Sequence, residues 1–161
     1  MAGVLAHAPA LAALLNPTIN SYKRFAAGSF APTTIAWGQD NRTCALRVVG
    51  AGAGARVENR VPGGDVNPYL ALAACIAAGL HGIEQELTLE EAFPGNAYAS
   101  DKPRVPATLR DACELFGASA EARKAFGDDV VDHYTNAARV ELAAYDAAVT
   151  DWERVRGFER L

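Results

Sequence analysis

The sequence predicts an α+β fold, and three observations carry that prediction. Three short segments suited to β-strands lie close together within residues 35–61. Apolar or amphipathic segments typical of helices lie on both sides of them. The chain has 161 residues, of which 50% are hydrophobic, so it is long and apolar enough to build one domain around a core. We therefore expect a small sheet backed by helices.

The first half of the chain contains one helix, a loop and the strands. Residues 1–15 are apolar and rich in alanine, and they predict a buried helix. Pro17 ends that helix at Asn16, because proline disfavours the helical conformation of the residue before it. Residues 16–34 are rich in Asn, Pro, Gly and Ser and predict a loop. Strands are predicted where β-branched and apolar side chains are separated by turn residues, at residues 35–37, 43–49 and 56–61.

The second half is predicted to be helical. Residues 69–86 form a helix with Asn67 as its cap and Pro68 at its first position. This helix is apolar all round, so we expect it to be buried. Residues 109–116 predict a short amphipathic helix. From residue 128 onward one long helix is predicted, because apolar side chains recur at steps of three or four, at Tyr134, Ala138, Leu142, Tyr145, Val149 and Trp152.

The net charge of −4 hides an asymmetry along the chain. Residues 1–60 carry six basic and two acidic side chains, whereas the remainder carries nine basic and seventeen acidic ones. Five of the first six bases are arginine, the side chain suited to bidentate binding of carboxylate and phosphate, whereas a solvated basic face usually mixes in lysine. A positive segment within an acidic chain predicts a local anion site. It argues against a nucleic-acid surface, for which interleaved aromatic side chains are also lacking.

The cysteines and the first segment bear on the cellular compartment. Three widely spaced cysteines, Cys44, Cys75 and Cys113, predict reduced, buried thiols in a cytoplasmic protein. The apolar segment 1–15 lacks a basic region at its start and is too short to span a bilayer, so we predict neither a signal peptide nor a membrane anchor. A buried helix that begins at residue 1 without a capping residue predicts that the chain is a piece of a longer protein.

The third predicted strand carries an unusual charged face. Arg56, Glu58 and Arg60 fall on one face because strand side chains alternate, while Val57 and Val61 fall on the other. A glutamate between arginines can hold a divalent cation while its neighbours hold anions, an arrangement that suits phosphoryl transfer. An internal salt bridge is the alternative interpretation of the same residues.

Three motifs together resemble those of the glutamine synthetase family. They are NPTINSYKRF at residues 16–25, WGQDNRTCALRV at 37–48 and RVENRVPGGDVNPYLALA at 56–73, in the family's order and at similar separations. The likeness extends through nearly the whole chain, to the closing WERVRGFE at residues 152–159. It implies a sheet that is antiparallel, barrel-like and incomplete, backed by helices. The family forms γ-glutamyl phosphate from glutamate and ATP and then lets an amine displace the phosphate.

The resemblance also implies a role for each matching charged residue. Arg24 would bind the carboxylate of the glutamate substrate. Arg42 would stabilise the transferring phosphoryl group and bind nucleotide, and Arg47 would contact nucleotide phosphates. Glu58 would be a metal ligand, for which Mg²⁺ or Mn²⁺ fits the oxygen donor. Arg60 would assist catalysis at the substrate carboxylate or the phosphoryl group.

Two departures from the family pattern affect substrate and regulation. Members that use ammonia carry a Pro-Gly-Tyr-Glu-Ala-Pro flap, whose Glu takes a proton from the attacking ammonium. Here the segment is AGSFAP, residues 27–32, with Phe30 in place of that Glu. Because Phe is not a base, we expect a larger amine, such as a polyamine, ethanolamine or another monoamine. Tyr98 lies where some bacterial members carry a regulatory tyrosine, but the surrounding residues differ, so no regulation is predicted.

The resemblance covers only part of the family's enzyme. Residues 1–161 correspond to the carboxyl-terminal part of the catalytic domain. The amino-terminal β-grasp domain and most metal-binding carboxylates precede it in the family, whose members form homo-oligomeric rings. We therefore expect this polypeptide alone to be inactive. Two alternatives remain open: a short non-catalytic paralogue that binds anions or modulates a full-length ligase, and a structural remnant without a ligand.

Overall fold

The structure is a computed structural model that describes residues 1–158 and residue 160. Glu159, the last residue of the closing motif, lies outside the described residues. Within that part of the chain there are seven α-helices, three strands and two short 3₁₀ helices at Gly52–Gly54 and Ala97–Ala99. The α-helices and strands follow one another in the order α1 (Ala2–Leu15), α2 (Ile19–Lys23), β1 (Thr34–Gln39), β2 (Cys44–Val49), β3 (Arg56–Asn59), α3 (Pro68–Glu84), α4 (Leu109–Ala118), α5 (Ala120–Phe126), α6 (Asp128–Ala147) and α7 (Asp151–Phe158). The predicted α+β class is confirmed.

The first helix forms as predicted and lies in the middle of the core. It ends at Leu15, and the backbone N–H of Asn16 closes its last turn on the carbonyl of Ala12. Leu5, Leu11 and Leu15 are buried in a cluster that also holds side chains of β1, β2 and α3 to α6, together with Val61 just after β3. Because leucines on several faces of α1 are covered, the helix is shielded on most of its circumference.

The three strands form one sheet in the order β1-β2-β3. β2 and β3 are antiparallel, with Arg47 opposite Glu58, as the resemblance implied. β1 instead runs parallel to β2, with Trp37 opposite Leu46, so the sheet is mixed and not purely antiparallel. The third strand is shorter than predicted and ends at Asn59. There the side-chain oxygen of Asn59 accepts the N–H of Val61, a local hydrogen bond that competes with the strand ladder.

The prediction that the apolar helix α3 is buried on all sides is wrong for the described residues. Only one face is covered, through Ala74, Ala78 and Gly82. The opposite face exposes Tyr69, Leu72, Ile76, Leu80 and Ile83, with Tyr69 84% and Ile83 75% exposed. The reason is geometrical: α3 lies at the edge of the helical layer and packs against α1 on one side. Its predicted cap is confirmed, since the Asn67 side chain accepts the N–H groups of Tyr69 and Leu70.

Helices α1 and α3 approach so closely that backbone touches backbone. A Cβ built on Gly82 would lie 2.7 Å from the Cα and N of Gly3, and one built on Gly3 would overlap the carbonyl of Ala78. Both positions therefore require glycine for steric reasons, although each has an ordinary helical conformation. This contact places α3, and with it the end of β3, against the core.

The acidic second half contains more elements than predicted. The long helix expected from residue 128 is interrupted, because α6 ends at Ala147 and α7 begins at Asp151. Thr150 and Glu153 form a reciprocal cap at the break: the N–H of Thr150 donates to Glu153 (2.7 Å) and that of Glu153 to the Thr150 hydroxyl (3.4 Å). This Thr-x-x-Glu pattern is the sequence signal that the periodicity concealed. The helices α2 and α5 were not predicted.

The three thiols and two of the histidines, His7 and His81, lie in or near the packed regions. All three cysteines are free, with Cys44 and Cys113 buried and Cys75 partly buried. His7 of α1 and His81 of α3 are hydrogen-bonded, with 2.8 Å between Nε2 and Nδ1. They line a cavity of about 230 Å³ between α1, α3 and α5. Among the described helices none has the length and apolarity needed to cross a membrane.

We expect Gly82→Ala to destabilise the fold by about 1–3 kcal/mol, because the added methyl group forces two helix backbones apart. The matched control is Gly79→Ala in the same helix, where a Cβ would meet open space. That substitution should be neutral or stabilising by up to about 1 kcal/mol, since alanine is the better helix former. Urea denaturation of the two variants checks both. Equal stabilities would show that the α1–α3 contact is not tight.

Stability is expected to fall as the pH drops below about 6.5, the usual pKa of histidine. Burial, reinforced by His81, lowers the pKa of His7 in the folded chain, while Glu121 opposes the shift. The unfolded chain therefore binds more protons than the folded one in this window, so the contribution is present above the unfolded pKa and is lost as pH falls. Thermal unfolding of His7→Gln between pH 5 and 8 should show a flatter profile. The exposed His133→Gln is the control.

Candidate functional site

A cluster of charged side chains lies on the outer face of β2 and β3. We call Arg47, Arg56, Glu58 and Arg60 the charged cluster. Arg47 stands directly opposite Glu58 in the antiparallel register, and its Nη1 lies 3.0 Å from Glu58 Oε2. Arg56 and Arg60 contact the same carboxylate at 3.3 and 3.5 Å. These contacts confirm the shared face of Arg56, Glu58 and Arg60, while Val61 is buried and Val57 is half exposed.

The charged cluster holds more positive than negative charge. Its one carboxylate meets three guanidinium groups, and the hydrogen bond from Arg47 in particular holds the pKa of Glu58 below its usual value. Arg47 also binds Asp40, whose backbone turns in the left-handed region (φ 47) just after β1. These bonds raise the pKa of Arg47. With side-chain exposures of 12% for Arg47 and 28% for Glu58, the cluster is fixed but still open to solvent.

Arg24 joins the cluster from a different part of the chain. It is the residue that ends α2, and its guanidinium donates to the backbone carbonyls of Arg60 (3.5 Å) and Val61. A third bond reaches Asn16 Oδ1 at 3.5 Å. Burial lowers the pKa of Arg24, while Asp65 acts in the opposite direction. The Nε atoms of Arg24 and Arg60 are buried and find no acceptor among the described residues.

The fold places Arg24 through a capped turn that the sequence analysis missed. The Thr18 hydroxyl accepts the N–H of Ser21, and the Ser21 hydroxyl accepts the N–H of Thr18. Both hydroxyls also donate to the Asp65 carboxylate. The signal was present in the first motif as Thr-x-x-Ser, a capping pattern in which Ser replaces the usual Glu. The long-range partner, Asp65, had no local signal.

Arg42 stands apart from the other candidates. It is exposed in the turn between β1 and β2, and it makes no hydrogen bond or ion pair with the residues that the structure describes. The turn itself is fixed by Asn41, whose amide group donates to the carbonyls of Phe93 (3.3 Å) and Gly95 (2.7 Å). The Asn41 oxygen accepts from the hydroxyl of Thr43. The structure therefore brings together Arg24, Arg47, Glu58 and Arg60, and leaves Arg42 at a separate fixed position.

Phe30 lies beside the cluster in an unusual backbone conformation. Its φ of 58 falls in the left-handed region, which is rare for an aromatic residue. Its carbonyl accepts a hydrogen bond from Arg60 Nη2 at 2.8 Å, and its side chain is 58% exposed. Arg60 thus links the segment around Phe30 to the strand that carries Glu58. Tyr98 lies near this segment and donates its hydroxyl to the carbonyl of Ala31.

The described residues fit a divalent metal ion only in part. Glu58 offers a carboxylate, the donor that Mg²⁺ and Mn²⁺ prefer. No group of three or more His, Cys, Asp or Glu side chains that could hold a metal ion occurs within the described part of the chain. The cluster can therefore supply one metal ligand and several anion contacts, and a complete metal site needs further ligands from other residues.

Comparison with known proteins identifies the relatives of this fold. A family model described as glutamine synthetase, catalytic domain, matches residues 1–156. Gamma-glutamylethanolamide synthetase GlnA4 of Streptomyces coelicolor is 64% identical over 161 residues, which are 100% of this chain and 35% of that protein. Glutamate–isopropylamine ligase of a Pseudomonas species is 42% identical, over 97% of this chain and 35% of that protein.

A solved structure shows the same fold. The structure described as a GmaS/ADP complex superposes with a TM-score of 0.86 at 33% identity, covering 98% of this chain and 38% of that one. The chain thus spans about a third of the length of the relatives that it matches. Because the family model matches nearly the whole chain and a relative is 64% identical to it, the chain belongs to the glutamine synthetase catalytic-domain family.

Proposed function

We propose that this chain is the carboxyl-terminal part of the catalytic domain of an ATP-dependent ligase that joins an amine to the γ-carboxylate of glutamate. The observation that carries the proposal is the charged cluster, in which Glu58 lies among three arginines next to Arg24. Family membership and relatives named as synthetases and ligases support it. The free cysteines fit a cytoplasmic enzyme.

The reaction has two steps with different electrostatic demands. An oxygen of the γ-carboxylate of glutamate attacks the γ-phosphorus of ATP, which forms γ-glutamyl phosphate and releases ADP. The amine nitrogen then attacks the acyl carbon, loses a proton and releases phosphate. Negative charge gathers on phosphoryl oxygens in the first step and on the leaving phosphate in the second, so preorganised arginines stabilise both.

The arrangement of the candidate residues supports a separate role for each of them. Arg24 binds the carboxylate of glutamate, the role that the family resemblance implies for it. Arg60, which lies next to Glu58, contacts the substrate carboxylate or the phosphoryl group. Arg47 contacts nucleotide phosphates. Arg42, exposed on its fixed turn, stabilises the transferring phosphoryl group and binds nucleotide.

Glu58 is the described residue that would hold a divalent cation, Mg²⁺ or Mn²⁺, which neutralises phosphate charge when bound. Its carboxylate has to exchange arginine contacts for the metal ion, and its lowered pKa keeps it ionised and ready to do so at neutral pH. The remaining ligands would come from the part of the ligase to which this chain does not correspond. The relatives' greater length supports that view. By family resemblance, the complete protein forms a homo-oligomeric ring.

We expect Glu58→Gln in the complete ligase to need at least about tenfold more Mg²⁺ or Mn²⁺ for half-maximal activity, because an amide is a weaker ligand than a carboxylate. Activity is measured as phosphate release during metal titration. Glu91→Gln, an exposed acidic residue outside the charged cluster, is the control and should titrate as the parent does. An unchanged metal requirement in Glu58→Gln would rule out the assigned role.

The amine is proposed to be larger than ammonia. Phe30 occupies the position of the family's proton-accepting Glu, and its ring offers an apolar surface where a carboxylate would attract ammonium. The names of two relatives, an ethanolamide synthetase and an isopropylamine ligase, support small substituted amines. Polyamines are also larger than ammonia, and they should be compared with the small substituted amines as substrates.

We expect the complete ligase to prefer ethanolamine or a small alkylamine over ammonium by at least about tenfold in kcat/KM, the scale of discrimination that a few apolar contacts supply. Phe30→Glu should shift that preference towards ammonium. Phe30→Gln introduces a side chain with the shape of glutamate but without its charge, so it separates the effect of losing the ring from that of gaining a carboxylate. An enzyme that is fastest with ammonium would contradict the proposal about the amine and leave the ligase class intact.

A further inference from the structure

One carboxylate, that of Asp65, is bonded to both members of the cap of α2. Its Oδ2 accepts a hydrogen bond from the Ser21 hydroxyl at 2.6 Å and another from the Thr18 hydroxyl at 2.9 Å. Asp65 lies in the connection between β3 and α3, more than forty residues away in sequence. An ionised carboxylate is an acceptor only, so it suits a position where two hydroxyl donors converge. Hydrogen bonding, first of all from Ser21, lowers the pKa of Asp65.

The helix that Asp65 holds is too short to maintain itself. α2 has five residues, far fewer than an isolated helix needs to be stable in water. Its position therefore depends on the packing of Tyr22 in the core and on bonds at both of its ends. The first end is the Thr18–Ser21 cap on Asp65, and the second is Arg24, which donates to the carbonyls of Arg60 and Val61. Both anchors lie within residues 60–65, so the loop after β3 fixes α2 from both sides.

Asp65 and Arg24 also approach each other across Gly63. A Cβ built on Gly63 would overlap Asp65 Oδ1 and would lie 3.8 Å from Arg24 Nε. The absence of a side chain at this position lets the carboxylate and the guanidinium both approach the place that a Cβ would occupy. Asp65 thus acts on Arg24 in two ways, through the bonded cap of α2 and through its charge.

We propose that Asp65 is a positioning residue for Arg24: by binding the Thr18 and Ser21 hydroxyls it fixes α2 and so sets where the Arg24 guanidinium meets the substrate carboxylate. This inference rests on the proposed function, in which Arg24 binds glutamate. Within the described part of the chain, Asp65 makes no hydrogen bond or ion pair with the charged cluster. Removing the Asp65 carboxylate shifts the Arg24 guanidinium relative to the substrate carboxylate and leaves the phosphate-binding arginines in place.

The test is steady-state kinetics of Asp65→Asn in the complete ligase. The asparagine keeps the size of the side chain but replaces two charge-assisted hydrogen bonds with weaker neutral ones. KM for glutamate should rise about tenfold, the scale of losing hydrogen bonds to a charged group, while KM for ATP stays within about twofold. Asp101→Asn, an exposed aspartate elsewhere, is the matched control. A lower Tm with an unchanged KM for glutamate would show a purely structural role and overturn the inference.

A second variant covers the case in which Asp65→Asn does not fold. Ser21→Ala removes the shorter of the two hydrogen bonds and leaves the charge, so KM for glutamate should rise in the same direction by a smaller factor. Combining Ser21→Ala with Asp65→Asn should raise KM by less than the product of the single effects, because both act through one bond. Fully multiplicative effects, or no effect of Ser21→Ala, would contradict the inference.

Arg24→Lys separates the failure of this inference from that of the proposed function. If Arg24→Lys leaves KM for glutamate unchanged, Arg24 does not bind the substrate, and the role assigned to it under the proposed function fails together with the inference. If Arg24→Lys raises KM and neither Asp65→Asn nor Ser21→Ala does, the assigned role stands and only the inference about Asp65 fails.

Discussion

The ion pair between Arg47 of β2 and Glu58 of β3 is the interaction on which the arrangement of the site depends. It exists because the two residues are direct partners in the antiparallel register, so a slip of one residue would turn one of them to the other face. Alternation along the same segment puts Arg56 and Arg60 on either side of Glu58, and Val61 is buried. Because the Glu58 carboxylate is partly exposed to solvent, the pair is a weak source of stability. Its importance is that it holds oppositely charged groups together in fixed positions with the carboxylate still open to solvent.

Hydrogen bonds from arginine side chains to backbone carbonyls connect the charged cluster to other parts of the chain. Arg24 binds carbonyls at the end of the β3 segment, and Arg60 binds the carbonyl of Phe30, so three separate parts of the chain meet at one place. The core behind them is organised by α1, which packs against α3 and α4. The close approach of Gly3 and Gly82 places the start of the chain against α3. The site is therefore open to solvent on one side and supported by a packed helical layer on the other.

Two errors of the sequence-based prediction have different physical origins. Helix α3 is apolar all round, and composition alone predicts burial, yet Tyr69, Leu72, Ile76, Leu80 and Ile83 are exposed among the described residues. A hydrophobic helix face favours burial, but the composition of the helix does not show which neighbouring element covers that face. The periodicity from residue 128 continued past Ala147, although the cap formed by Thr150 and Glu153 starts a new helix. A local capping bond outweighed the apolar period there.

The sequence by itself determined the fold class, the family and which residues are candidates for the site. These follow from local patterns: alternation put Arg56, Glu58 and Arg60 on one face, and Asn67 with Pro68 marked the start of α3. Only the tertiary structure decided that Arg47 faces Glu58, that β1 runs parallel to β2, that Arg42 stands apart, and that Asp65 holds the cap of α2. Each of these is a contact between residues distant in the chain or a choice of strand direction. Such relations depend on packing and register, which no local pattern of residues encodes.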